Sequence, residues 1–196
     1  MLDALGLAAS GEPEQLCPVP APARFAAFEL DGWWFVVSED NRFASRERVV
    51  AVSRGGDAVG AYLEEHVMFS GAFGASDGVL VWSAQHHCTY GLEHLDVWGD
   101  PPPALEGIHK GLLEELQNNG GADYVFDAPI DLAASLCGFN PNTFDRDVEV
   151  TGLKVVRKDL MKLVDQPLSE GAGPPPVASA GGTRKRGFLA RLLGRG

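Results

Sequence analysis

Residues 77–98 read Asp-Gly-Val-Leu-Val-Trp-Ser-Ala-Gln-His-His-Cys-Thr-Tyr-Gly-Leu-Glu-His-Leu-Asp-Val-Trp. Two β-prone runs flank a Cys-Thr-Tyr-Gly tip, which predicts a β-hairpin. With a short loop around Cys88–Gly91, His87 opposes Leu92, Gln85 opposes His94, Ser83 opposes Asp96 and Val81 opposes Trp98. On the other face His86 opposes Glu93, Ala84 opposes Leu95 and Trp82 opposes Val97. The second face is apolar apart from its tip and faces a core. A slip of one residue would turn Trp82 to the polar side, so burial selects the register.

The polar face carries the first candidate site. His87, His94 and Asp96 share it, and two imidazoles with one carboxylate are a ligand set for a zinc-like ion with an open position for water. A second candidate pairs Cys88 with His86 or His87 as thiolate and base. The bland readings stand beside them: a solvated sheet face, and a cross-strand His86–Glu93 pair. No HExxH or CxxC spacing supports catalysis.

Outward from the hairpin, Phe25–Leu30 and Gly32–Ser38 flank Asp31-Gly32, a favoured hairpin turn. Arg48–Ser53, with Val49, Val50 and Val52, predicts a strand. Val59, Tyr62, Leu63, His66 and Val67 fall on one face at the 3.6-residue period and predict a helix begun by Asp57. The Gly, Ala and Ser of 69–77 predict a loop. Beyond Pro101–Pro103 a helix is expected over 104–118, where Gly107 and Gly111 would let it approach the sheet. Residues 123–126 predict a short strand. A helix over 128–137 follows, with Pro129 in its first turn and Gly138 at its end. Residues 147–157 predict one long strand or a hairpin broken at Gly152, and 159–164 a closing helix.

These elements predict a single compact α+β domain: a mostly antiparallel sheet of about five to seven strands with about three helices on one face. The expected organisation is an N-terminal arm over 1–23, a globular domain over 24–167, a disordered Pro/Gly/Ala linker over 168–182 and a basic tail over 183–196. In that tail Phe188, Leu189, Leu192 and Leu193 would form one face of an amphipathic helix. Arg184, Lys185, Arg186, Arg191 and Arg195 supply its charge. Such a segment docks on an anionic membrane surface or in a partner's groove.

The formal net charge is −11 from 16 basic and 27 acidic residues. Five of the basic residues lie in 183–196, so the first 182 residues hold 11 basic against 27 acidic, a formal −16. An acidic body repels phosphates, which argues against nucleic acid and for a protein partner. Three widely spaced cysteines, Cys17, Cys88 and Cys137, and no signal-peptide pattern point to the cytoplasm, with the tail placing the protein at the inner face of the membrane. The expected function is a non-enzymatic interaction protein of the adaptor or immunity type, without a cofactor. The alternative is a small metal-dependent hydrolase using His87, His94 and Asp96 and zinc.

Overall fold

The structure, a computed structural model, describes residues 1–11, 14–16, 25–40, 43–156 and 185–191, with the backbone alone for 14–16 and 185–191. Among the described residues ten strands form one sheet: β1 (Leu7–Ala9), β2 (Glu14–Leu16), β3 (Phe25–Leu30), β4 (Trp33–Ser38), β5 (Gly56–Glu64), β6 (Phe69–Ser76), β7 (Val79–His87), β8 (Asp96–Gly99), β9 (Val148–Val155) and β10 (Lys185–Arg191). Their order is β1-β9-β3-β4-β10-β5-β6-β7-β8, with β2 also on β9. Pairing is antiparallel except for β10, which runs parallel to β4 on one side and β5 on the other. The α+β class and the mostly antiparallel sheet agree with the sequence reading. Ten strands exceed five to seven because the arm, the stretch after α1 and the tail all contribute.

The three helices are α1 (Arg46–Val52), α2 (Ala104–Asn119) and α3 (Ala128–Cys137). They do not share a face. Val49 of α1 packs on a core with Phe25, Val36, Phe43, Tyr62 and Phe73. Ile130 and Leu132 of α3 and Leu105 of α2 pack on the opposite core, with Phe28, Phe35, Leu63, Trp82 and Phe139. The sheet is therefore covered on both sides, and its central strands are buried on both faces.

That double cover explains where the elements differ from those the sequence pattern predicts. In β5 the run from Ala58 to Leu63 is buried throughout. Its alternation is hidden, and the surviving i, i+3, i+4 spacing imitates a helix. Arg48–Ser53 belongs to a helix instead of a strand, because Ser45 caps it by accepting from the Arg48 amide at 3.4 Å. Its β-branched valines yield to packing: a Cβ on Gly60 would lie 2.3 Å from Val49 Cγ2, so the bare glycine seats α1 on β5.

The expected loop at 69–77 is the central strand β6. Its glycines sit beneath aromatic rings of neighbouring strands. Gly71 stands opposite Tyr62 and Gly74 opposite Trp82. A Cβ at Gly74 would lie 2.0 Å from the Trp82 indole nitrogen. Small residues here make room for rings and mark no flexible linker.

Asp31-Gly32 turns as expected, with φ of 50° and 78°. Asp77-Gly78 repeats the geometry at 50° and 83°, joining β6 to β7. Residues 124–127 form a 3-10 turn in place of the expected strand. Helices α2 and α3 and strand β9 lie where the sequence puts them. A Cβ at Gly107 or Gly111 would meet nothing within 4 Å, so neither glycine serves a close approach.

Part of the N-terminal arm belongs to the domain. Leu5 and Leu7 are buried, and β1 and β2 pair with β9. The tail departs furthest from expectation. Lys185–Arg191 is a strand, bonded on both edges, and no amphipathic helix. Cys17, the helix expected over 159–164, the linker over 168–182, and Arg184, Leu192, Leu193 and Arg195 lie outside the described residues. Among the described residues, no helix is long and apolar enough to cross a membrane.

Candidate functional site

β7 and β8 pair as predicted in direction but not in register. Ala84 stands opposite Val97 and Gln85 opposite Asp96, so β8 is displaced by two residues from the expected pairing. An even shift keeps the paired residues Asp96 and Val97 on their predicted faces. Trp82 and Ala84 are buried in the α3-side core, whereas Val97 is 42 % exposed. Residues 88–95 connect the strands through a 3-10 turn at Cys88–Tyr90 instead of a tight loop.

The displacement dissolves the expected metal site. His94 leaves the ladder, and its Nδ1 accepts from the His87 amide at 3.4 Å. His87 Nδ1 accepts from the Thr89 amide at 3.2 Å, capping the turn. Asp96 is exposed opposite Gln85, whose amide donates to the Tyr62 hydroxyl at 3.0 Å. No three His, Cys, Asp or Glu side chains among the described residues stand close enough to hold a metal ion.

The thiol–imidazole candidate loses His86, whose two ring nitrogens face the His94 carbonyl and Asp123. The Cys88 thiol donates to the Val67 carbonyl at 3.5 Å, and His86 is fully buried. His66, expected on a helix face, sits on the turn after β5, 93 % exposed and 3.4 Å from Glu64.

The buried histidine has a different role. His86 Nδ1 donates to the His94 carbonyl at 2.6 Å, and Nε2 meets Asp123 Oδ2 at 2.9 Å. A carbonyl only accepts, so Nδ1 carries a hydrogen. A proton also lies between Nε2 and the carboxyl, and the pair is neutral overall whichever atom holds it. His86 thus clasps β7, the β7–β8 connection and the segment before the 3-10 turn at Tyr124–Asp127. Close by, the Ser70 hydroxyl donates to the Phe126 carbonyl at 2.6 Å.

Acids crowd this corner. Burial pushes the Asp127 carboxyl up to about 6, helped by Asp131, Asp123, Glu115 and Glu65. Asp131 is also raised, by burial, against a hydrogen bond donated by Asn140 at 2.9 Å. These residues are far apart in sequence or hidden in amphipathic helices, so no local pattern announces them.

The accessible feature lies at the sheet edge. Beside β8, the terminal strand, a groove of roughly 340 Å³ is lined by Leu95, Val97, Pro101–Pro103, Leu105, Glu106 and His109. Tyr90 and Leu92 on the adjoining loop are 64 % and 40 % exposed. Glu106 lines the groove, and Glu93 and Asp100 are exposed on the adjoining segments. The Pro-Pro-Pro run, read from sequence only as a break, builds one wall. No family model, curated protein or solved structure matches the chain.

Proposed function

We infer that the protein is a non-enzymatic interaction module that binds an extended, apolar and basic segment of a protein partner along β8. The single observation that carries this reading is the groove lined by Leu95, Val97, Pro101–Pro103 and Leu105 at a sheet edge, bordered by acids. A terminal strand offers main-chain groups for strand addition, and alternate side chains of the added segment fill an apolar groove. The acidic border selects a basic partner and repels nucleic acid. A reducing cytoplasm suits the free thiols of Cys88 and Cys137. The reading places the docking surface at β8 and not at the tail, whose residues 185–191 pair on both edges.

Photo-crosslinking tests the reading. A benzophenone amino acid at Val97, in the native cell extract, is expected to give one discrete adduct. Charge reversal by Glu106→Lys should weaken it, and the same probe at Asp3, exposed at the opposite end of the sheet, should not give it. The same adducts from both positions, or none from Val97, would reject the groove as the binding site.

A further inference from the structure

The sheet consists of two antiparallel halves with a slot between them. β1, β2, β9, β3 and β4 form one half, and β5, β6, β7 and β8 the other. β4 and β5 are joined through α1 yet are not neighbours. They lie one strand apart, and β10 fills the space. Gly187 to Arg191 stand opposite Trp34 to Ser38, and Lys185 to Ala190 opposite Gly56 to Ala61.

We propose that this slot is an exchangeable strand-binding site, filled either by the chain's own C-terminal strand or by the same strand of a second copy, giving strand-swapped dimers. Three observations carry the proposal. First, each half-sheet is built from antiparallel pairs that do not include β10, whereas β10 arrives from far along the chain. The slot is thus defined by elements that precede its occupant. Second, β9 and β10 are separated by residues 156–184. That length reaches ~90 Å when extended, against a diameter of roughly 40 Å for a domain of this size. The connection therefore does not dictate which copy's slot is entered, and insertion in either copy makes identical contacts.

Third, charge favours the strand and disfavours other pairings of two bodies. The first 182 residues carry a formal −16, while Lys185, Arg186 and Arg191 make the inserted strand basic. Arg186 stands in register with Asp57. The basic strand complements the acidic body that receives it, whichever copy supplies it.

Insertion in the same chain has the advantage of proximity, an effective concentration on the order of millimolar for a tethered segment. Exchange should therefore become prominent as the protein approaches that concentration, and after warming and cooling two samples together. This inference does not rest on the β8 groove, which lies at the far end of the sheet.

Cysteine pairing in the full-length protein is the test. Ser38 and Arg191 are register partners. A protein carrying both Ser38→Cys and Arg191→Cys should form a disulfide within one chain. A mixture of the two single variants should form the same disulfide between chains, located by peptide mapping and increasing with concentration. Adding Leu189→Pro, which removes an N–H from the middle of β10, should abolish the inter-chain link. If the double variant links internally but the mixture never links, exchange is wrong. If neither links, the slot is not the site of β10, and the proposal fails at its root.

Discussion

His86 and Asp123 lie 37 positions apart and meet at 2.9 Å, with side chains 0 % and 6 % exposed. The contact ties the end of β7 to the segment leading into α3. Asp123 Oδ1 is buried without a hydrogen-bond partner, so the carboxyl depends on His86 alone for its buried polar contact. Removing one member of a buried pair leaves the other uncompensated, at a cost of about 3–5 kcal/mol. His86→Phe should lose stability on that scale in urea denaturation. Adding Asp123→Leu to it should recover part of the loss, because no buried carboxyl remains. An unchanged midpoint in the single variant would contradict the structural role.

The surroundings of three glycines predict opposite outcomes for one chemical change. Gly74→Ala drives a methyl into the Trp82 ring, and Gly60→Ala drives one into Val49. Each should destabilise by about 1–3 kcal/mol through overpacking. Gly107→Ala meets open space on α2 and should stabilise by up to about 1 kcal/mol through helix propensity. Thermal denaturation of the three variants separates the cases, and the same sign in all three would refute the packing account.

Asp127 makes stability depend on pH. Its folded-state value is raised from 3.8 to about 6, so the native state holds the proton more tightly than the unfolded chain. That contribution is fully present below about pH 3.8 and is lost as pH rises through about 6. Asp127→Asn removes the ionisation. It should raise stability at pH 7 by about 2 kcal/mol, taking ~1.4 kcal/mol per pH unit and discounting for partial exposure. The gain should vanish near pH 3.5, where the aspartate is already protonated in both states. Chemical denaturation at several pH values measures it, and a gain independent of pH would point to another cause.

Two thiols should differ in reactivity. Cys137 is buried, donates to the Ala133 carbonyl at 3.2 Å, and has its thiol pushed up to about 12 by burial. Cys88 is partly exposed. Maleimide labelling of the native protein should fall by one group in Cys88→Ala and stay unchanged in Cys137→Ala. A loss of label in the second variant would show that α3 opens readily.

Local signals were read correctly where they act through the nearest neighbours. Asp31-Gly32 makes its turn because the two residues tolerate positive φ. Pro129 opens α3 and Gly138 closes it at φ 73°, both as backbone geometry requires. The hairpin was half legible. Trp82 and Ala84 are buried as alternation demands, but the register of β8 depends on residues 88–95 and on His86 holding the His94 carbonyl. The groove was not legible, because Leu95, Val97, the three prolines and Leu105 become one surface only when β8 and α2 converge.

From its sequence alone, this protein is an α+β chain with an acidic body, two capped helices, an Asp-Gly hairpin and a histidine-rich stretch at 86–94. Those features follow from backbone sterics, capping and charge, which need no distant partner. The tertiary structure decided the rest. It made Gly-Ala-Phe-Gly a central strand because rings from β5 and β7 cover its glycines. It turned His86 from a catalytic candidate into a buried clasp by bringing Asp123 to it. It placed Lys185–Arg191 between β4 and β5, where an open strand slot outweighs a helical pattern. The physical reason is common to all three. Paired backbone edges and two-sided burial are non-local, and they override propensities that a short window of residues expresses by itself.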